Sequence, residues 1–295
     1  MAERMHGEVE TGVELVRRLL EAQFPEWASL RIEPVSFRGT DNALFRLGDD
    51  KVVRLPTRPR TELTLEKERR WLPRLAPLLP LAVPEPLAEG APGVGYPFTW
   101  SVYRWLPGKT VIEAPVADLH QGAVDLAGFI LALQDVESTV GPGPGEHNFG
   151  RGERLANRAE PVRAAIAKLG AYDRTAAWEE ALAAPEWDRP AVWIHGDLDA
   201  RNVLVENGRL SAVIDFGSVS VGDPACDVMV AWKLFDGASR EVFRRELAVD
   251  DATWARARGW ALSQALVALA YYTLATNPVL VREAQHWLEE LDADA

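Results

Sequence analysis

The chain has 295 residues, 47% of them hydrophobic and 26% charged, which is enough for a sizeable core and unlike a disordered chain. Its formal net charge of −12 argues against a nucleic-acid partner, whose phosphates call for a basic footprint. A single cysteine, Cys226, rules out an internal disulfide and a cysteine-built metal site. The first dozen residues lack the apolar stretch of a signal peptide, and no run approaches the roughly 20 apolar residues of a membrane span. A soluble, cytoplasmic protein with no membrane partner is therefore expected.

Val13 to Phe24 places apolar residues at helical spacing and stops before Pro25, predicting the first helix. Three short apolar runs follow, IEPVSF, ALFRLG and KVVRLP, separated by the turn signals Gly39-Thr40-Asp41-Asn42 and Gly48-Asp49-Asp50. Their spacing predicts two successive β-hairpins. The stretch from Thr61 to Leu79 reads as a helix that is interrupted or ends near Pro73, because proline has no N–H to give the helix. VPEPLAEG and YPFTWSVYRWLPG read as two further strands.

Beyond Gly108 the pattern turns helical, over Val116 to Leu133, Gly152 to Leu169, Arg174 to Ala184, Arg240 to Leu247 and Thr253 to Thr276. AVWI, VLVENG and LSAVIDF interrupt it as short strands, and VGPGPGEHNFG reads as a flexible loop. Trp254, Trp260 and Trp287 fall in helical stretches and are read as core. Strands with one helix first and helices second predict an α+β protein of two lobes, 1–105 and 106–295, meeting near Tyr103 to Pro107. The charge divides along the same line: residues 1–106 hold 15 basic and 15 acidic side chains, so the whole excess of −12 lies beyond them. An acidic second half would concentrate magnesium or a cationic substrate.

The chemistry concentrates between Val192 and Val228, VWIHGDLDARNVLVENGRLSAVIDFGSVSVGDPACDV. Asp197 follows His195-Gly196, Asn202 comes five positions later, and Asp215 closes an apolar run before Phe216-Gly217. Phosphoryl transfer needs this inventory: a carboxylate to position the attacking hydroxyl, and oxygen ligands for a hard divalent cation. Protein kinases carry the same spacing in their catalytic loop and metal-binding Asp-Phe-Gly. A hairpin through VLVENGRLSAVI is expected to bring Asp215 back beside Asn202.

WIHGDLDARNVL together with AVIDFGSVSVGDPACDV resembles the aminoglycoside phosphotransferase family, over roughly Ile32 to Trp232. The resemblance implies the bilobal protein-kinase-like fold, with a small antiparallel-sheet lobe for the nucleotide and a larger, mainly helical catalytic lobe. It further implies that Asp197 is the catalytic base or hydroxyl-positioning residue, that Asn202 and Asp215 bind Mg²⁺, and that Asp227 braces the catalytic loop. His195 and Asp223 read as scaffold. Asp199, where family members often carry histidine, reads as a solvated loop residue.

For the nucleotide side, FRGTDNALFRL resembles the family's phosphate-covering loop, with Gly39, Thr40 and Asn42 as candidate contacts. Arg54 stands where kinases carry the strand lysine that reaches the phosphates, while Lys51, three residues earlier, should face the other side. Arginine keeps its charge and can fork onto phosphate, so the departure is compatible with activity. Glu68 is the expected partner of Arg54, with Glu66 as competitor. Tyr103 and Trp105 are nucleotide candidates by position at the strand between the lobes.

The function so implied is a phosphotransferase that uses ATP or GTP with Mg²⁺ on a hydroxyl of a small molecule, foremost an aminoglycoside or other antibiotic, and so antibiotic resistance. Kinases of an amino-sugar, homoserine or choline, and a catalytically impaired nucleotide-binding pseudokinase, are the alternatives. Protein-kinase activity is disfavoured, because the stretch after Asp215 reaches GDPACD too soon for an activation segment.

Overall fold

The computed structural model describes residues 9–35 and 42–294, apart from the side chain of Arg60. They divide into two compact units. One takes in the described residues to Leu78, Ala82–Pro107 and Ala212–Gly217; the other takes in Leu79–Leu81, Gly108–Ser211 and the chain from Ser218 on.

The first unit is built on a five-stranded antiparallel sheet. Its strands are β1 (Ile32–Pro34), β2 (Asn42–Leu47), β3 (Lys51–Pro56), β4 (Pro86–Gly90) and β5 (Trp100–Arg104), in the order β1-β2-β3-β5-β4. β2 alternates strictly between buried and half-buried residues, as a strand with one face on the core must. Phe45 and Leu47 from β2, Val53 and Leu55 from β3, and Trp100 and Val102 from β5 form that core. Helix α1 (Val13–Gln23) adds Val16, Leu19 and Leu20, spaced i, i+3, i+4 as one buried helical face requires.

Helix α2 (Pro59–Leu75) begins with proline, whose missing N–H costs nothing in the first turn. It ends at Leu75, two residues past Pro73, near the expected stop. Pro73 sits in the last turn, where only the bond to the Arg69 carbonyl is forgone, and Leu72 and Leu75 on either side of it are buried.

The second unit is mainly helical. Its long helices are α3 (Leu119–Gln134), α4 (Ala159–Leu169), α5 (Thr175–Ala183), α8 (Gly237–Leu247), α9 (Asp251–Tyr271) and α10 (Pro278–Ala293), with the short α6 (Ala225–Val228) and α7 (Ala231–Leu234) between the strands and α8. Caps set boundaries that periodicity missed. Asp118, Asp236 and Asp250 accept from the backbone N–H three residues on, opening α3, α8 and α9. The helix expected to reach Thr276 stops at Tyr271. Thr273 and Thr276 then bond to each other's backbone, and Asn277 caps α10 ahead of Pro278. Trp178, Trp193, Trp232, Trp260 and Trp287 are fully buried, and Trp254 nearly so.

The expected strands form as β7 (Val192–Ile194), β8 (Val203–Glu206) and β9 (Arg209–Val213). Asn207 and Gly208 join β8 to β9 with φ of 52° and 78°, the left-handed pair that a two-residue hairpin turn demands. Two very short strands went unread in the sequence: β6 (Lys109–Thr110), which pairs with β8, and β10 (Ser220–Gly222), which pairs with β7. No described helix is long and apolar enough to cross a membrane.

Candidate active site

In the second unit, β7 delivers the chain into His195-Gly196-Asp197. Asp227, fully buried on α6, accepts from the His195 N–H and the Gly196 N–H, each at 2.7 Å, one on each carboxylate oxygen. Burial pushes the Asp227 carboxyl up, against the pull of the two amides. Gly196 has φ 82°, and a Cβ there would sit 2.8 Å from the Ser218 carbonyl oxygen. The turn therefore requires glycine on both counts. His195 is fully buried, and its Nδ1 accepts from the Asp197 N–H at 3.2 Å, which assigns its ring proton to Nε2. Every one of these bonds fixes the backbone that carries Asp197.

Asn202 closes the loop. Its Nδ2 donates to the Asp197 carbonyl at 2.8 Å, which turns its oxygen away as an acceptor. Asp199 departs from the sequence expectation of a solvated residue. It is wholly buried and accepts from the Arg201 N–H at 2.9 Å and Nε at 3.1 Å, with a further contact to Nη2. An aspartate two residues before an arginine whose backbone it can cap was the available signal. Asp223 is structural: it forks with Arg256 at 2.8 and 3.1 Å and caps the Ala225 N–H. Cys226 is buried, and desolvation pushes its thiol up.

The first unit holds a second constellation. Arg54 on β3 is 8% exposed and donates from Nη1 to both oxygens of Glu68, at 2.9 and 2.8 Å. Its Nη2 reaches Asp215 Oδ1 at 3.1 Å, and Tyr103 donates to Glu68 Oε2 at 2.9 Å. Glu66 is exposed, so the partner on α2 is Glu68. Burial opposes the charge on Arg54, yet the Glu68 and Asp215 carboxylates push its pKa higher still. Burial likewise pushes Glu68 up, against the pull of Arg54. Two carboxylates, those of Glu68 and Asp215, share the one Arg54 guanidinium. Asp215 has φ 64°, a left-handed conformation that costs a non-glycine residue about 1–3 kcal/mol, and exposes 46% of its side chain.

The remaining nucleotide candidates fall as follows. Gly39 and Thr40 lie outside the described residues. Asn42 opens β2; with its carboxamide oxygen turned toward Arg54, it accepts from Nη2 at 3.0 Å and Nε at 3.2 Å. The Tyr103 ring is buried against the Arg54–Glu68 pair, which leaves no open aromatic face for stacking a base. The indole of Trp105 is covered by the Arg46 guanidinium, 4.1 Å from the ring centre. Lys51 is held by Asp50 and lies over Trp27, away from the Arg54 cluster.

Arg151, which the sequence reading passed over inside a loop, forms an ion pair with Asp197 at 2.9 Å. Its only sequence signal was a cation among polar and glycine residues, which is too common to single out.

The model of the phosphotransferase enzyme family matches residues 31–260. The chain belongs to this family. This phosphotransferase-family protein also shares its fold with solved members of the group. An aminoglycoside 2'-phosphotransferase of type IIIa, in its GDP complex, has a TM-score of 0.75 at 20% identity, over 96% of this chain and 99% of that one. A type IIIa enzyme solved with GDP and kanamycin gives 0.74 at 21%, covering 95% and 99%. The macrolide 2'-phosphotransferase of Brachybacterium faecium gives 0.61 at 24%, covering 90% and 98%. No curated protein matches the phosphotransferase-family chain.

Proposed function

We propose that the protein transfers the terminal phosphate of ATP or GTP to a hydroxyl of a small molecule. The observation that carries this reading is the triple fixing of the Asp197 loop, by Asp227, His195 and Asn202, in a chain whose family transfers phosphate. Phosphoryl transfer asks the protein mainly for positioning and charge, and a carboxylate on an immobilised backbone supplies the first.

In this reading Asp197 accepts the hydrogen bond of the attacking hydroxyl and takes its proton. Arg54, kept charged and aimed by Glu68, binds the nucleotide phosphates, with Gly39, Thr40 and Asn42 as backbone and side-chain donors. Tyr103 acts through Glu68 rather than by touching the base, while the chain at Trp105 borders the nucleotide by position.

Asn202 and Asp215 are the proposed magnesium ligands. The donors suit a hard cation: a carboxamide oxygen left as acceptor, and a half-exposed carboxylate. Among the described residues no three His, Cys, Asp or Glu side chains form a cage. Magnesium bound through one or two protein ligands and substrate phosphates needs none. Bound there, it would neutralise charge on the phosphate oxygens.

The acceptor is proposed to be cationic, since the whole net charge lies beyond residue 106. The related folds include enzymes named for aminoglycosides and for macrolides, so both classes belong in the test. Purified protein with Mg·ATP or Mg·GTP would be offered aminoglycosides, macrolides, amino-sugars, homoserine and choline. Nucleoside diphosphate release that depends on one acceptor is expected; its absence across the panel overturns the proposal.

A further inference from the structure

Asp197 is gripped by a cation from outside the kinase-like motif. Arg151 Nη2 lies 2.9 Å from Asp197 Oδ1, a close charge contact without hydrogen-bond alignment, while Nη1 of the same guanidinium donates to Ser218 Oγ at 2.7 Å. Both side chains of the ion pair are about one-fifth exposed. Pairs at the open surface contribute little, but this one is largely withdrawn from solvent, and the guanidinium is engaged at both terminal nitrogens.

The backbone beneath Arg151 is fixed as firmly as its head. Asn148 is fully buried, and its Nδ2 donates to the Arg151 carbonyl at 2.8 Å and to Ser220 Oγ at 2.9 Å. Ser220 Oγ donates to the same carbonyl at 3.3 Å. Asn148 Oδ1 accepts from the Gly145 N–H at 3.0 Å, and the Gly150 N–H bonds back to the Gly145 carbonyl at 2.8 Å. The Phe149 ring lies 5.6 Å from the guanidinium carbon. Residues 145–152 thus form a tied platform, so the end of the stretch expected to be flexible, VGPGPGEHNFG, is held in place.

We propose that Arg151 is a positioning residue for Asp197, so that residues 145–152 belong to the active site. The inference rests on the phosphotransfer reading and adds a component to it. A carboxylate can rotate about its Cβ–Cγ bond, and only one orientation presents an oxygen along the acceptor's O–H. The attraction of Oδ1 to a guanidinium that is itself pinned to Ser218 biases that rotation. The platform thereby decides which oxygen meets the hydroxyl. Displacements of about 1 Å in such a group can cost on the order of a hundredfold in rate.

The test is a kinetic cycle with the best acceptor from the panel above, under saturating Mg·nucleotide. Arg151→Ala should lower kcat by about tenfold to a hundredfold. The KM values for nucleotide and acceptor should hold within about twofold. Arg151→Lys should restore only part of the rate, since it keeps the charge but cannot hold Asp197 and Ser218 at once. In an Asp197→Ala background, Arg151→Ala should have no further effect, because nothing is left to position. A further loss there means that Arg151 acts on the phosphoryl group directly, which overturns the positioning role. An unchanged kcat in a folded Arg151→Ala protein overturns it as well. Should Arg151→Ala fail to fold, Ser218→Ala, which removes only the second anchor, is expected to lower kcat with KM unchanged; no change in kcat is contrary evidence. If the unaltered protein turns over no acceptor, the phosphotransfer reading fails and takes this inference with it. If it turns over and Arg151→Ala equals it, only the role of Arg151 falls.

Discussion

Arg54 and Asp215 stand 161 positions apart in the chain, yet their side chains meet at 3.1 Å. The same guanidinium binds both oxygens of Glu68 through its other terminal nitrogen. One cation therefore ties β3, α2 and the segment that follows β9, and a lysine could not make all of these contacts in one geometry. Replacing Arg54 with alanine leaves Glu68 buried without its counter-charge, a loss of about 3–5 kcal/mol. Denaturant unfolding should show that loss, and the surviving folded protein should have a raised KM for nucleotide. Arg54→Lys should stay folded and active; an Arg54→Ala protein with unchanged nucleotide KM contradicts the phosphate-binding role.

The division of labour between the two proposed site aspartates separates in binding experiments. Asp197→Ala should lower kcat by about two to four powers of ten, the usual share of a positioned base, while leaving nucleotide affinity intact. Asp215→Ala should abolish turnover and weaken magnesium-dependent nucleotide binding. Equal losses of nucleotide affinity in both variants would falsify this split.

Asp227→Asn removes one of two acceptors from a buried clamp and places an N–H₂ against a backbone N–H. An unmet buried donor costs about 1–3 kcal/mol. The variant should lose stability by about that amount and should lose kcat too, since the clamp holds the backbone of Asp197. Full activity at reduced stability would mean that the loop keeps its shape without the clamp.

Lys233 on α7 is buried over the Trp287 ring, 4.5 Å from its centre, and donates to Gln264 Oε1 at 2.6 Å. Burial, only partly opposed by Asp199 and Asp197, pushes its pKa down to about 8. A folded-state pKa below the ordinary lysine value means that the unfolded chain binds the proton more tightly. Between about pH 8 and 10.5 this group therefore makes the fold more stable as pH rises, and below pH 8 its charge opposes folding. Lys233→Met should be more stable than the natural chain at pH 7, with the gap shrinking towards pH 10. A gap that does not depend on pH would show that the ammonium carries no burial penalty.

Cys226 is the simplest case. Its buried thiol should resist alkylation in the folded protein and react fully in denaturant. Rapid labelling under native conditions would show that α6 opens readily.

Much of this was legible in the sequence because local physics and tertiary context agree there. Val16, Leu19 and Leu20 mark one face of α1, Asn207-Gly208 could hardly be anything but a hairpin turn, and Asp197, Asn202 and Asp215 keep a spacing that chance rarely produces. Glu68 was preferred over Glu66 for its distance from Trp71-Leu72, as the family resemblance implies, and the structure pairs it with Arg54. What stayed hidden depends on partners far along the chain. Asp199 looks like any loop aspartate until Arg201 folds over it. VGPGPGEHNFG reads as flexible because glycine and proline permit mobility, whereas Asn148 and Ser220 tie down its end. The burial of Tyr103 was concealed by its place in β5, where either face of the strand would have satisfied the pattern. β6 and β10 are too short to carry a period at all.

The most direct test of the central claim follows the phosphate itself. Mass spectrometry of the acceptor after incubation with Mg·ATP or Mg·GTP should show one added phosphoryl group with the natural chain and almost none with Asp197→Ala. Unmodified acceptor with the natural chain across every class offered, or equal modification by both proteins, would contradict it.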